Sequence, residues 1–206
     1  MPKLYFTIIA TVQEALLYLG VAILLVLPVL LSYAPDAIPE EGIGILFTTS
    51  LTAVFLVMLI RPLADLLPGV SFLRPLVILR KGFGVLSASI IVSFMLSNLM
   101  LDASGYLGSF FTAERWSFSS GAFLSPVGDL SALLLLVTSN RFSKRILGKN
   151  WKRIQKLAYV YFYAGALYEL LLLGQMFALW FIVIVTSAGL GAYVMKRLTS
   201  PQALLV

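Results

Sequence analysis

The chain has 206 residues, of which 60% are hydrophobic and only 12% charged, where soluble domains carry roughly a quarter. Such a chain reads as lipid-embedded, with almost nothing left over for a soluble domain. It has no cysteine and no histidine, which excludes disulfides, iron–sulfur clusters, thiolate sites, imidazole ligation of haem or transition metals, and the commonest general base.

Six continuous apolar runs follow in chain order: Tyr5 to Ser32, Ile43 to Ile60, Phe83 to Leu101, Ala122 to Thr138, Leu157 to Leu173 and Met176 to Met195. The first follows Met1, Pro2 and Lys3, but it is too long for a signal-peptide core and no small-residue cleavage pattern follows it, so it reads as a mature span. The runs do not alternate, which predicts helices rather than barrel strands, because a helix satisfies its own backbone polar groups in lipid. The predicted fold class is therefore an all-α, six-helix transmembrane bundle forming one domain, 1–206.

The net charge of +6 is a statement about topology and not about nucleic acid. Lys3, Arg61, Arg74, Arg80, Lys81, Arg141, Lys144, Arg145, Lys149, Lys152, Arg153, Lys156, Lys196 and Arg197 all fall on the side of the termini and the second and fourth loops. The other side has Arg115 alone among Asp36, Glu40, Glu41, Asp102 and Glu114. The positive-inside rule then predicts cytoplasmic termini and residence in the cell inner membrane. On the outer side, 103–121 carries Tyr106, Phe110, Phe111, Trp116 and Phe118 among Gly and Ser, which predicts an interfacial aromatic loop, with a partner-docking surface as the alternative. The basic run Arg141 to Lys156 holds seven cations and suits topology and anionic headgroups, or an acidic partner or a cofactor phosphate.

Three segments carry a resemblance. Leu79, Arg80, Lys81, Gly82, Phe83 and Gly84 open the third span; Val137, Thr138, Ser139 and Asn140 close the fourth; Leu147, Gly148 and Trp151, followed by Tyr159, precede and enter the fifth. Together, over about Gly42 to Glu169, they resemble the ferric reductase-like transmembrane domain family, and within it the haem-binding membrane subunit of bacterial methionine sulfoxide reductase systems. The resemblance implies six helices, both termini inside, and haem held by histidines on the third and fifth helices. Laying the motifs over one another puts those positions at Phe94, Gln155 and Tyr168, none of them histidine. At about 1.5 Å per residue, Phe94 and Tyr168 are expected to face each other at one depth, roughly 20 Å from the cytoplasmic end. There the two rings are expected to fill the emptied haem cradle by packing. Tyr and Met ligate haem iron in some proteins, which leaves Tyr168, Met95 and Met100 as the non-imidazole alternatives. Arg80, Lys81, Gln155 and Trp151 are the candidates for an inner cofactor site.

Glu14, Asp129 and Glu169 fall inside the spans, where a carboxylate costs several kcal/mol unless paired or protonated. Arg115 or water is expected to reach Asp129 and Glu169, whereas Glu14, beside Gln13, is expected to be protonated, bonded by Ser or Thr hydroxyls, or paired with another subunit. Ser187, Ala188, Gly189, Gly191 and Ala192, with Gly165 and Ala166, permit close helix contact, inside the bundle before outside it.

There is no Walker loop, dinucleotide fingerprint, zinc motif or other catalytic motif, and the flavin and nicotinamide domain of larger ferric reductases is missing from the sequence. The expectation is a non-catalytic accessory or scaffold subunit of a larger membrane complex, of electron-transfer or photosynthetic type, that has lost haem and binds no cofactor. The alternative is a subunit passing electrons from flavin or quinone to an outer partner. Quinone, flavin and lipid are the candidate small molecules, and lipids and other membrane subunits the expected partners. Transport through the three acids is a weaker reading, because the spans lack paired broken helices.

Overall fold

The computed structural model describes residues 3–198; the readings at Met1 and Pro2, and the domain reading past Leu198, lie outside them. Among the described residues every regular element is a helix. In chain order these are α1 (Lys3–Tyr33), α2 (Glu40–Leu66), α3 (Leu73–Leu76), α4 (Arg80–Leu101), α5 (Ala103–Ser109), α6 (Leu124–Val137), α7 (Arg141–Leu147), α8 (Lys149–Ile154), α9 (Leu157–Leu171) and α10 (Met176–Leu198). Short 3-10 turns at Pro35–Ala37, Val77–Leu79 and Glu114–Trp116 join them.

Four helical stretches are long and apolar enough to cross a bilayer: α1, α2, the continuous stretch Leu73–Leu101, and α10. The chain is thus a helical membrane protein whose apolar helices meet lipid. Two of the six predicted spans are shorter than a bilayer core of about 30 Å. At 14 residues in α6 and 15 in α9, these helices are roughly 21 and 22 Å long. They pack on each other, α6 also on α4 and α9 also on α2 and α10, and each keeps exposed apolar residues, among them Leu130, Leu134 and Val137 on α6 and Val160 and Leu171 on α9. Gly121 turns the chain at φ 72° before α6, and Gly174 at φ 67° after α9. In the other direction, α2 runs past the expected Ile60 to Leu66, because Pro62 removes only the donor that would reach Met58, one turn from the helix end.

In chain order, α1, α2, α4, α6, α9 and α10 run in alternating directions. The Gln13–Gly82, Ile23–Ser93 and Ser32–Ser97 hydrogen bonds set α1 parallel to α4; the Val57–Arg80 and Ser50–Ser87 bonds set α2 antiparallel to it. Thr186 meets Tyr163, so α10 opposes α9. One end of the bundle therefore holds Lys3, Leu66, Arg80, Val137, Leu157 and Leu198, and the other holds Tyr33, Glu40, Leu101, Leu124, Leu171 and Met176. They are called here the terminal end and the loop end.

Burial ranks the helices. In their most apolar windows 56% of the stretch ending in α4 is buried, against 17% for α1 and for α10, so α4 is the centre and α1 and α10 the flanks. The core joins Leu51, Val54 and Met58 of α2 to Ala88, Val92 and Met95 of α4, Ala132 of α6, Phe162 and Ala166 of α9 and Val185 of α10. Close approach of α1 to α4 depends on glycine: a Cβ on Gly82 would lie 2.9 Å from the Leu16 Cβ, and one on Gly20 3.1 Å from the Val85 Cγ1. The small residues of α10 act partly inside the bundle, with Gly191 against Leu66.

Candidate functional site: a cavity at the loop end

A cavity of about 720 Å³ opens between α2, α4, α6 and α9, beneath the segment from α5 to Ala122. Phe47, Leu51, Val54, Ile91, Met95 and Leu124 form its apolar walls. Its polar floor is built by three helices, where the Tyr161 hydroxyl lies 3.0 Å from Ser50 Oγ and 2.8 Å from Ser87 Oγ. Ser87 also donates to the Ser50 carbonyl at 2.8 Å. A fully satisfied buried network of this kind fixes the helices it joins.

The mouth is lined by Tyr106, Arg115, Asp129, Tyr168 and Glu169. Arg115 reaches Asp129 at 3.7 Å, as expected, and Ser125 adds a long hydrogen bond to the same carboxylate at 3.4 Å. The Arg115 guanidinium also lies 4.1 Å from the Phe110 ring centre and 4.9 Å from that of Tyr106 and donates to Ser109 Oγ. Trp116 Nε1 donates to the Phe110 carbonyl at 2.7 Å, which pins the segment. Only part of this aromatic loop therefore projects outward, with Phe111 and Phe118 exposed; Tyr106 and Arg115 turn in to the cavity.

Arg115 does not pair with Glu169. Glu169 is 4% exposed, and its carboxylate accepts no hydrogen bond and meets no cation among the described residues. It borders the main cavity and also a smaller one of about 310 Å³ shared with Glu41, Thr48, Thr49 and Gln175. Tyr168 is within electrostatic reach of both Asp129 and Glu169.

Phe94 and Tyr168 both line this cavity. They do not fill it. Phe94 stacks on Phe47 at 4.7 Å between ring centres and 12° between planes, which draws its ring to the α2 wall and leaves the space open. Phe94 has no ligating atom and supplies no axial ligand from its position; of the non-imidazole candidates, Met95 and Tyr168 both line the cavity and Met100 does not. Gln155 lies elsewhere. Its amide donates to Thr138 Oγ1 at 3.3 Å, and Trp151 Nε1 donates to the Thr138 carbonyl at 2.9 Å, so both tie α8 to the end of α6. Arg80 is held on α2 by a 2.8 Å bond from Nε to the Val57 carbonyl, and Lys81 is exposed. Three of the four residues of the expected inner site thus have separate structural partners, and none of the four lines the cavity.

The first span separates its two polar residues. Gln13 is buried and accepts from Gly82 N at 3.0 Å, whereas Glu14 is exposed. It shares the outer face of α1 with Tyr18 and Val21, and forms no hydrogen bond with a Ser or Thr hydroxyl among the described residues.

The residues missed from sequence are Phe47, Ser50, Ser87 and Tyr161. No sequence pattern marks the two serines: the serines that repeat every four residues on α4, Ser89, Ser93 and Ser97, leave out Ser87, and Ser93 donates to the Ile23 carbonyl across the α1 interface instead. No family model matches the chain, and no solved structure matches it.

Proposed function

We propose that this chain is a non-catalytic accessory subunit of a larger membrane complex, built as a haem-less ferric reductase-like bundle that crosses the cell inner membrane six times with both termini in the cytoplasm. The gathering of fourteen of the fifteen basic residues at the terminal end supports that orientation. The absence of a donor atom at Phe94 supports the loss of haem chemistry.

The observation that carries the subunit reading is Glu14. It stands about 16 Å along α1 from Lys3, on the exposed side of a helix of mean hydropathy 2.6. A carboxyl group facing lipid at such depth costs on the order of 3 kcal/mol. A hydrogen-bond donor or cation from a neighbouring subunit removes that cost, and among the described residues Glu14 forms no hydrogen bond or ion pair. A photo-crosslinker placed at Tyr18 in native membranes tests this. The reading requires a discrete protein adduct that disappears in Glu14→Ala; adducts with lipid alone, identical in both forms, contradict it.

A second reading is favoured by the cavity itself. A chamber retained at the Phe94 and Tyr168 positions suits a bound quinone that carries electrons between partners. Extraction of a redox-active quinone or flavin at stoichiometric amounts from purified protein would establish that reading, and its absence would remove it.

A further inference from the structure

We infer that the loop-end cavity binds an amphiphile with a protonated amine head, its ammonium group against Glu169 and its apolar body along Phe47, Leu51, Val54 and Ile91. The inference concerns a different face from Glu14 and stands independently of the subunit reading.

Charge decides the head group. Of the three ionisable groups of opposite or like sign at the mouth, Arg115 and Asp129 compensate each other at 3.7 Å, and the rings of Phe110 and Tyr106 take further share of the guanidinium. Glu169 remains: 4% exposed, without a hydrogen-bond donor or cation among the described residues, and with its carboxylate on the boundary of two cavities. A buried carboxylate of this kind needs a positive or donating partner. The protein's other cations lie at the terminal end, so the partner must come from outside the fold. Glu41, across the smaller cavity from Glu169, adds negative potential and repels an anionic head. A head carrying phosphate or carboxylate without an ammonium group is thereby disfavoured, and a neutral hydroxyl donates a hydrogen bond but brings no countercharge.

Shape decides the rest. A volume of about 720 Å³ lies within the range of roughly 300–1,000 Å³ typical of sites for drug-sized ligands. Walls of aliphatic and aromatic side chains with polar groups only at the mouth and floor suit one apolar chain or ring system entering tail first. The ammonium chemistry is shared by aminophospholipids and by free long-chain amines.

The test uses the full-length protein in maltoside micelles, titrated with octylamine, octanol and octyl phosphate and read as a shift in thermal unfolding temperature. Octylamine is expected to stabilise the protein and the other two to do so at least tenfold less tightly. Glu169→Gln is expected to lose at least tenfold in octylamine affinity while leaving octanol unchanged. Glu169→Asp, which keeps the charge, is expected to retain the preference for the amine. Equal binding of octylamine by wild type and Glu169→Gln, equal binding of octanol and octylamine, or no binding of any amine would each overturn the inference. Native mass spectrometry with phosphatidylethanolamine against phosphatidylcholine distinguishes the sources: selective retention of the ethanolamine lipid, lost in Glu169→Gln, identifies an aminophospholipid, and octylamine binding without it identifies a free amine.

Discussion

The Tyr161 hydroxyl lies 2.8 Å from the Ser87 hydroxyl, and this contact, with Ser50 as the third member, pins α9 to the two helices that form the opposite wall of the cavity. Removing the phenol oxygen leaves Ser50 and Ser87 bonded to each other and to backbone carbonyls, so no buried group is orphaned. Tyr161→Phe is expected to cost about 0.5–1.5 kcal/mol, near the mean for one intramembrane hydrogen bond. Ser87→Ala with Tyr161→Phe is expected to cost less than the sum of the two, because both remove the same contact. Equilibrium unfolding in mixed micelles checks both values.

Gly82 is the tightest point between α1 and α4. A methyl group there meets the Leu16 Cβ at 2.9 Å and the Gln13 Oε1 at 2.8 Å, atoms close to the opposing backbone or held by a hydrogen bond, so the helices must separate. Gly82→Ala is expected to destabilise by roughly 1–3 kcal/mol, read as a lower unfolding temperature. Gly44, with no neighbour within 4 Å of a built Cβ, provides the comparison, and Gly44→Ala is expected to be neutral or stabilising.

The proposed crossing by α6 can be tested directly because the chain has no cysteine. Single cysteines at the exposed positions Ser119 and Asn150 report on the two sides of α6. An impermeant maleimide added to intact cells is expected to label position 119 and to miss 150 until the membrane is opened. Labelling of both from outside would show that α6 does not cross.

Asp102 caps α5, accepting from Gly105 N and Ser104 Oγ at 2.9 Å each. These bonds favour the ionised form, first the backbone donor and then the hydroxyl, and hold its carboxyl below the usual value. A folded value below the unfolded one gives a contribution that is complete above the unfolded value, near 3.9, and lost as pH falls through the folded one. Amide exchange of α5, compared between pH 6 and pH 3 after correction for intrinsic rates, is expected to rise at the lower pH in wild type and to show a smaller pH-dependent change in Asp102→Asn.

The long helices were legible because lipid leaves a continuous apolar record in α1, α2, α4 and α10. The ends of α6 and α9 were legible too, to within two residues, but an apolar run such as Ala122 to Thr138 reads the same in a helix too short for the bilayer core as in one that spans it. The reach of Arg115 to one of the two outer acids was legible because it is the one cation in that stretch of sequence, but the choice of Asp129 over Glu169 was not. The opposite fates of Gln13 and Glu14 were invisible: adjacent helical residues differ by about 100° in direction, and periodicity is weak in a helix apolar on every side. Likewise, that Phe94 would stack on Phe47 rather than across the cavity depends on the rotation of α2, which no local pattern encodes.

The central claim is most directly tested by the absorption spectrum and pyridine haemochrome of the complex purified in mild detergent from haem-replete cells. The account predicts no Soret band beyond trace levels, because Phe94 offers iron no ligand across from Tyr168. A wash-resistant band corresponding to one haem per chain, abolished by Tyr168→Phe or Met95→Leu, would contradict it.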